Sequence, residues 1–197
     1  KVSLDHFEEL YQKLGTTFDH YFFESEVAYD GKTIVETFLK EGLFEESDGA
    51  VIFPGERYGL HNRVFITSRG LPTYEAKDIG LNTRKFNLDA EPDPDRSVIV
   101  TANEQDDYFK VVLKALERIE PKVAERTEHI SHGMMRFAEG KMSSRTGNVV
   151  TGESLISDIE AMVRERLEGR ELAEVETEEV VETVAVGAIK YSILKQA

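Results

Sequence analysis

The sequence predicts an α/β fold in which helices flank a parallel sheet, and three features of the chain support this prediction. Residues 97–102 form a largely apolar run between polar flanks, which is typical of a buried strand in a parallel sheet. A helix with an apolar stripe follows this run, and residues 129–137 form a second candidate strand. The order strand, helix, strand is that of a βαβ unit.

The N-terminal third is predicted to contain two helices and a β-hairpin. Apolar residues recur at helical spacing over residues 3–14, which predicts an amphipathic first helix. Thr33 with Glu36 forms a capping-box pattern, which predicts that a second helix begins there. The β-prone runs 51–53 and 64–66 predict a hairpin with a long polar connection.

The remaining helices are predicted from prolines, polar caps and apolar stripes. They cover residues 72–86, 104–120 and 152–167, and a last helix begins at Thr177. The acidic segment 168–176 is predicted to be a linker or a solvated helix end. Strands that alternate with helices along the chain are typical of the α/β class.

Composition excludes several classes of protein. The chain has 197 residues, a net charge of −14 and no cysteine, so a disulfide or cysteine–zinc scaffold is excluded. The acidic balance argues against a broad nucleic-acid-binding face, because phosphate neutralisation needs clustered Lys and Arg. No apolar run is long enough to span a bilayer. We therefore expect a soluble, cytoplasmic protein with no membrane partner.

The loop at residues 140–148 carries the composition of a phosphate-binding segment. It combines two glycines, two serines and two cations, so flexible backbone N–H groups and positive charge can meet phosphate oxygens. The order of residues is not that of a Walker A loop. From composition alone, an exposed basic turn remains the alternative interpretation.

This loop resembles a known signature. Lys141-Met142-Ser143-Ser144-Arg145 is similar to the Lys-Met-Ser-Lys-Ser signature of class I aminoacyl-tRNA synthetases. The resemblance implies that the catalytic residues are Lys141, Ser143, Ser144 and Arg145, which stabilise ATP phosphates during adenylation of an amino acid. Arginyl-tRNA synthetases often carry a lysine where this chain has Thr146, which leaves Lys141 and Arg145 to supply the charge.

Four further segments resemble arginyl-tRNA synthetases in the right order along the chain. They are residues 18–25, 72–80, 104–109 and 186–191, which match the Phe-Asp…Glu-Ser, Thr-Tyr-x-x-x-Asp-Ile, Glu-Gln…His-Phe and C-terminal helix patterns of that family. The resemblance covers nearly the whole chain. The chain is therefore identified as a member of the arginyl-tRNA synthetase family.

A candidate arginine site lies on the predicted helix at residues 72–86. Tyr74 and Asp78 are one helical turn apart, so both side chains project from the same face. An aspartate can accept paired hydrogen bonds from a guanidinium, and a tyrosine offers a ring face and a hydroxyl. A solvated helix face is the alternative. The resemblance implies arginine binding by Tyr74 and Asp78 and adds Glu24 and Gln105.

A candidate ATP site follows the second predicted strand. The resemblance implies that Gly133, Met134 and Met135 approach the adenine, and that Lys141 and Met142 complete the site. The two methionines could equally fill the core. ATP is expected as a substrate with Mg²⁺ bound to it. No protein metal site is predicted, because His129 and His132 fall on opposite faces of a strand.

The resemblance also implies an architecture: α/β, the second half of a Rossmann-like parallel-sheet catalytic domain with an inserted β-hairpin region and C-terminal helices. The expected divisions are a helical and hairpin insertion region at 1–70, the catalytic half at 71–167, and a linker with the start of a helical region at 168–197. The His-Ile-Gly-His motif of class I enzymes is absent, since Leu60-His61-Asn62-Arg63 does not match it.

The functional expectation is a fragment of an arginine–tRNA ligase that is inactive alone, because the His-Ile-Gly-His half is absent. Its expected partners are arginine, ATP and tRNA(Arg), and an exposed sheet edge left by missing strands predicts a homodimer. A noncatalytic synthetase-like module that binds a nucleotide or a protein is one alternative. A fragment of another class I synthetase, such as that for lysine, cysteine or methionine, is the other.

Overall fold

The chain divides into two units of unequal size. In the computed structural model, the central unit is His20–Ser131, and the terminal unit combines Lys1–Asp19 with His132–Ala197. The structure describes residues 2–87, 94–134, 151–168 and 174–195. No helix within these ranges is long and apolar enough to cross a membrane.

Within its described residues, 20–87 and 94–131, the central unit contains four helices and two small sheets. Its elements are α2 (Glu24–Lys40), β1 (Glu45–Ser47), β2 (Ala50–Phe53), β3 (Arg63–Ile66), α3 (Tyr74–Lys85), β4 (Ser97–Ala102), α4 (Asp106–Ile119), α5 (Pro121–Glu125) and β5 (Thr127–His132), the last residue of β5 belonging to the terminal unit. Two 3₁₀ turns, Gly55–Tyr58 and Asn103–Gln105, precede β3 and α4.

The predicted hairpin is part of a three-stranded antiparallel sheet in the order β1-β2-β3. The pairing of β2 with β3 confirms the hairpin, and β1 is an additional strand. Ser47 pairs with Ala50, so Asp48 and Gly49 alone form the connection. Both have positive φ, 50° and 77°, as a two-residue type I′ turn requires. This tight turn aligns β1 on β2 although β1 itself carries no apolar residue.

The predicted βαβ unit is confirmed by the parallel pairing of β4 with β5, between which α4 and α5 form the crossover. Pro121 follows the end of α4, as predicted, and opens α5. The prediction that β4 is fully buried is wrong for one face. Val98 and Val100 expose 49% and 63% of their surface. Within the described residues, β4 is therefore exposed on one face and more buried on the other.

The second helix begins earlier than its predicted cap. α2 starts at Glu24, where the backbone N–H of Phe23 donates to Oε2 of Glu26 at 3.4 Å. Thr33 lies in the middle of the helix, and its hydroxyl donates back to the carbonyl of Tyr29 at 2.9 Å. A hydroxyl followed three residues later by an acid is common inside helices as well as at their starts, which explains the error.

Helices α2 and α3 cross with their backbones in contact. A Cβ on Gly31 would lie 1.9 Å from the carbonyl oxygen of Ala76, and a Cβ on Gly80 would lie 2.5 Å from that of Val27. Neither backbone can move away without opening the packing around Ile79, which is fully buried. Glycine is therefore required at both positions for α3 to lie where it does.

A single apolar core holds the central unit together. Three phenylalanines from β1's flank, β2 and β3 meet at its centre: the Phe44 ring lies 5.7 Å from that of Phe53 and 5.0 Å from that of Phe65. Aromatic pairs at such separations stabilise a core beyond their buried area. The surrounding buried residues are Val35, Val51, Ile66, Ala76, Ile79, Phe86, Val111, Val112, Ala115, Leu116 and Val123. Helices α3 and α4 are thus fixed to the same core.

The terminal unit contains α1 (Val2–Lys13), α6 (Gly152–Leu167) and α7 (Glu174–Leu194). The first helix ends as predicted, with Gly15 at a φ of 61°. The hydroxyl of Thr151 caps α6 by accepting from the N–H of Ser154 at 3.1 Å. Arg164 of α6 donates two hydrogen bonds to Glu178 of α7, at 3.1 and 2.7 Å. The predicted helices of this unit are all present, and the last begins at Glu174, three residues before its predicted start at Thr177.

Candidate functional site

The predicted site residues lie in two different parts of the chain. The arginine set is in the central unit: Glu24 begins α2, Tyr74 begins α3, Asp78 follows one turn later, and Gln105 ends the 3₁₀ turn before α4. Of the ATP and catalytic set, Gly133 and Met134 follow β5 in the terminal unit. The others lie outside the described residues: Met135, Lys141, Met142, Ser143, Ser144 and Arg145.

Helix α3 is anchored at its start to the sheet. Thr73 adopts an extended conformation before the helix, and its hydroxyl donates to the carbonyl oxygen of Val64 at 2.8 Å. The backbone N–H of Thr73 donates to the carbonyl of Phe65 at 2.9 Å. These bonds fix the first turn of α3 against β3, and the glycine crossing with α2 fixes the next. The position of Asp78 is therefore set by the hydrogen bonds of Thr73 and by the backbone contact of α3 with α2.

Asp78 accepts a hydrogen bond from a tyrosine on another helix. The hydroxyl of Tyr108, on α4, donates to Oδ2 of Asp78 at 2.5 Å. Burial raises the pKa of Tyr108 strongly, and the negative charge of Asp78 raises it further. The hydroxyl consequently keeps its proton and acts as a neutral donor at any physiological pH.

The electrostatic surroundings of Asp78 combine burial, one hydrogen bond and charges of both signs. We define the Asp78 cluster as Asp78 and the groups whose charges or hydrogen bonds act on it, namely Glu24, Glu75, Lys85 and Tyr108. Burial raises the pKa of Asp78 and is the largest effect; the hydrogen bond from Tyr108 and the charge of Lys85 oppose it, while Glu75 and Glu24 add to it. Glu24 and Glu75 each pair with a cation of their own, Lys77 and Arg63, whereas Asp78 forms no ion pair among the described residues, so its carboxylate is the one open to a further cation.

The positive charge that acts on Asp78 belongs to Lys85, which lies two turns further along α3. Its Nζ donates to Oδ1 of Asn82 at 3.4 Å and to the hydroxyl of Ser97 at 3.3 Å. Asn82 is fully buried, and its side-chain N–H donates to the carbonyl of Asp78 at 2.8 Å. Burial lowers the pKa of Lys85, and Asp78 opposes that shift. The lysine is thus held by neutral oxygens while its charge acts on Asp78.

Glu24 and Tyr74 meet around a lysine of the chain itself. The Nζ of Lys77 lies 2.7 Å from Oε2 of Glu24 and 4.9 Å from the centre of the Tyr74 ring. A carboxylate and an aromatic face are the groups that bind an organic cation. These two side chains therefore hold a cation in this structure, and that cation is an ammonium of the protein.

The predicted arginine residues are thus partly brought together. Glu24 acts on Asp78 through its charge, and Tyr74 contacts Lys77, the partner of Glu24. Gln105 is exposed at the end of its turn, three residues before Tyr108. Lys77 joins Glu24 to Tyr74, and Tyr108 bonds to Asp78; sequence reasoning selected neither Lys77 nor Tyr108. Within the described residues, no hydrogen bond or ion pair joins Gln105 to the other three.

Two residues that act on Asp78, Lys85 and Tyr108, were not predicted from the sequence, and only one of them has a local sequence signal. Asp78, Asn82 and Lys85 are spaced four and then three residues apart, which places them on one face of a helix. This periodicity could have identified Lys85. The partnership of Tyr108 with Asp78 joins α3 to α4 and has no local signal.

His129, on the second strand of the βαβ unit, is held in place by two neighbouring side chains. His129 on β5 forms a hydrogen bond through Nε2 with the hydroxyl of Thr101 on β4 at 2.8 Å, and its ring stacks on Phe109 at 4.3 Å. In the terminal unit, Nδ1 of His132 lies 2.8 Å from the carbonyl oxygen of Gly133. Among the described residues, no three His, Asp or Glu side chains are arranged to hold a metal ion.

The chain is similar to arginine–tRNA ligases over nearly its whole length. The family described as tRNA synthetases class I (R), catalytic domain, matches residues 1–197. Arginine–tRNA ligase of Porphyromonas gingivalis is 34% identical over 97% of this chain and 32% of that protein. The ligase of Bacteroides fragilis is 32% identical over 96% of this chain and 32% of that protein. The chain therefore spans about a third of the length of these curated relatives.

Solved structures share the fold. The arginyl-tRNA synthetase of Plasmodium falciparum gives a TM-score of 0.74 at 21% identity, covering 99% of this chain and 32% of that one. The arginyl-tRNA synthetase of Thermus thermophilus gives 0.63 at 19% identity, covering 92% and 37%. At these identities the likeness concerns the fold, and it confirms the predicted α/β class.

Proposed function

Because this chain belongs to the family of class I tRNA synthetases (R), catalytic domain, we propose that it carries the amino-acid-binding part of an arginine–tRNA ligase. The relatives named arginine–tRNA ligase favour arginine over lysine, cysteine or methionine as the amino acid. In the proposed reaction, the carboxylate of arginine attacks the α-phosphate of ATP, giving arginyl-adenylate and pyrophosphate. A terminal hydroxyl of tRNA(Arg) then takes the arginyl group and releases AMP.

The observation that carries this proposal is the half-buried Asp78 carboxylate, which accepts a hydrogen bond from the neutral Tyr108 hydroxyl and forms no ion pair among the described residues. A guanidinium is planar, always charged and able to donate two parallel hydrogen bonds to one carboxylate. Asp78 would accept those bonds, and the ring of Tyr74 would offer a face to the cation. Glu24 would supply a second carboxylate, and Gln105 a neutral amide.

The ATP site remains a proposal from the sequence. Gly133, Met134 and Met135 would border the adenine, and the segment from Lys141 to Arg145 would contact the phosphates. Lys141, Met142, Ser143, Ser144 and Arg145 would position the phosphates and stabilise charge that develops on them, with no covalent enzyme intermediate. Mg²⁺ would arrive bound to the ATP phosphates.

Arginine binding tests the proposal directly. Isothermal titration of the purified chain with arginine, lysine and citrulline should detect arginine as the preferred ligand, because citrulline lacks the charge and lysine lacks the fork of donors. Asp78→Asn keeps the shape of the side chain and removes its charge. We expect this variant to weaken arginine binding about 30-fold, the size of a charge-assisted hydrogen-bond pair.

The matched control is Asp107→Asn. Asp107 is also an aspartate near the start of a helix of the central unit, but it is exposed and pairs with Lys110 at 2.8 Å. This control should leave arginine affinity unchanged. Equal affinity of the wild type and Asp78→Asn for arginine would exclude the proposed site.

Catalysis is tested separately by arginine-dependent exchange of label between pyrophosphate and ATP. Because the sequence contains no His-Ile-Gly-His motif, we propose that the chain binds arginine but does not catalyse exchange by itself. Turnover above background would contradict this part. Nucleotide binding with no arginine binding would favour the noncatalytic alternative instead.

Three other expectations stay predictions: the divisions at residues 70 and 167, a cytoplasmic location, and a homodimer through an exposed sheet edge. Val98 and Val100 are exposed on one face of β4, which is not a sheet edge, so they do not bear on the predicted dimer. Sedimentation velocity at several concentrations would test it. A monomer at every concentration would exclude the dimer.

A further inference from the structure

We propose that Tyr108 is a positioning residue that fixes the plane of the Asp78 carboxylate and thereby makes the site prefer a guanidinium to a primary ammonium. This inference rests on the proposed function, in which Asp78 binds the cationic end of the amino acid. It goes further because it assigns selectivity to a residue that would not contact the cation itself.

The first step is the geometry of the hydrogen bond. The Tyr108 hydroxyl donates to Oδ2 of Asp78 at 2.5 Å. A carboxylate oxygen has two lone pairs, so this bond leaves one on Oδ2 and both on Oδ1. The terminal torsion of an aspartate is otherwise soft and broadly distributed. A single donor at a fixed point therefore defines the plane in which the remaining lone pairs lie.

The second step is that the donor is itself immobile. The guanidinium of Arg63 lies over the Tyr108 ring, 5.3 Å from its centre, and pairs with Glu75 at 3.1 Å. The neighbouring Phe109 ring meets the edge of Tyr108 at 5.0 Å and is buried against His129. The hydroxyl is thus placed by contacts on several sides, and it cannot follow a rotating carboxylate without breaking them.

The third step separates direction from charge. Lys85 also acts on Asp78, but its Nζ donates to Asn82 and Ser97, so it acts through its charge. A charge lowers the energy of the carboxylate in every orientation, whereas a hydroxyl donor lowers it in one. Among the described residues, Tyr108 is therefore the side chain whose hydrogen bond can orient Asp78.

Orientation matters more for a guanidinium than for an ammonium. Two parallel N–H donors bind one carboxylate only when the two groups are coplanar. An ammonium is a compact charge with three rotatable donors and can bind from many directions. Removing the Tyr108 hydroxyl should therefore weaken arginine binding more than lysine binding.

The test uses Tyr108→Phe, which removes the hydroxyl and keeps the ring, with Tyr58→Phe as the control. Tyr58 lies in the same unit and stacks on Phe53 at 5.4 Å, away from Asp78. Titration calorimetry with arginine and with lysine gives a selectivity ratio for each variant. We expect Tyr108→Phe to weaken arginine binding about tenfold and lysine binding about twofold or less. The control should keep the wild-type ratio.

A pH profile distinguishes positioning from a general structural role. The Tyr108 hydrogen bond lowers the pKa of Asp78 against the effects of burial, Glu75 and Glu24, with Lys85 acting in the same direction as Tyr108. Without the hydroxyl, the pKa of Asp78 should rise, so the pH below which arginine binding falls should move upward in Tyr108→Phe. Carbon-13 NMR of the Asp78 carboxyl measures the same shift with no ligand present.

The outcomes separate the two proposals. If the wild type binds arginine and Asp78→Asn does not, but Tyr108→Phe keeps both the selectivity ratio and the pH midpoint, the positioning role is wrong and the proposed site stands. If Asp78→Asn has no effect on arginine binding, the proposed site is wrong, and this inference is overturned with it. A fall in the ratio together with an upward shift of the midpoint supports both.

Discussion

Asp78 and Glu24, the two carboxylates predicted to bind the amino acid, are held in opposite ways. Glu24 has a side chain that is 61% exposed, and its charge is neutralised by Lys77 at 2.7 Å. Asp78 is partly buried and receives a hydrogen bond from the neutral hydroxyl of Tyr108. A neutral donor orients a carboxylate without cancelling its charge. The comparison indicates that Asp78 is prepared for an incoming cation, whereas Glu24 must first release one.

The largest expected effect comes from a substitution that separates α2 from α3, the helices that carry Glu24 and Asp78. Gly31→Ala would place a Cβ 1.9 Å from the carbonyl oxygen of Ala76, so α2 and α3 must separate. We expect a loss of about 3 kcal/mol in the free energy of unfolding, at the upper end for overpacking. Urea denaturation measures it.

The matched control is Gly187→Ala, because Gly187 lies inside α7 with no atom near the position of its Cβ. Alanine should there stabilise the helix by about 0.5 to 1 kcal/mol. Equal effects of the two substitutions would show that the close crossing of α2 with α3 does not constrain the chain.

The next effect compares the two carboxylates themselves. Asp78→Asn should weaken arginine binding about 30-fold, because a partly buried charge-assisted bond is lost. Glu24→Gln should weaken it only about threefold, because the exposed Glu24 gives up an existing ion pair to bind the ligand. Titration calorimetry at one pH and salt concentration measures both. A larger effect at Glu24 would reverse the assignment of the principal carboxylate.

A smaller effect follows from the pKa of Asp78. Because its pKa is raised in the folded protein, the folded state binds the proton more tightly than the unfolded state does. The stability that Asp78 contributes is therefore present at pH values below its unfolded pKa and is lost as the pH rises through the folded pKa. The free energy of unfolding of the wild type, minus that of Asp78→Asn, should therefore fall as the pH rises above the unfolded pKa of about 4.

Asp107 should show the opposite sign, which makes Asp107→Asn an internal control. The hydrogen bond from Lys110 lowers the pKa of Asp107. Its contribution is present above the unfolded pKa and is lost on acidification. The difference between the wild type and Asp107→Asn should therefore rise with pH. Slopes of the same sign for the two aspartates would contradict the assigned environments.

The smallest effect is expected at Lys77. Lys77→Met removes the ammonium that neutralises Glu24 and keeps most of the aliphatic chain. We expect arginine affinity to rise about twofold to threefold and the free energy of unfolding to change by about 0.5 kcal/mol or less, as for other exposed ion pairs. Lower affinity in this variant would mean that Lys77 assists the ligand rather than competing with it.

Much of the fold could be predicted because its signals are local. The apolar stripes of α1, α4 and α6 and the run in β4 repeat at the periods of helices and strands. The strand β1 was missed although Asp48-Gly49 is a strong hairpin signal, because Glu45–Ser47 carries no apolar residue. The start of α2 was missed because Thr33 bonds within the helix.

The candidate site was less accessible to sequence reasoning. Tyr74 and Asp78 were selected from one helix, but Asp78 has its directional partner on α4, thirty positions away along the chain. Tyr108 lies in the segment 104–109 that resembles a family pattern, but that resemblance predicts no contact with Asp78. Partnerships across helices depend on how the helices pack, so periodicity within one helix could not identify this one.

The close backbone contact of α2 with α3 sets the distance between the Cα atoms of Glu24 and Asp78. Gly31 and Gly80 bring α2 and α3 to the closest distance that main-chain atoms permit. Smaller side chains between the two helices therefore cannot bring the Cα atoms of Glu24 and Asp78 closer together. A protein engineer who wants the site to accept a shorter cationic amino acid would have to lengthen a reaching side chain, for example with Asp78→Glu.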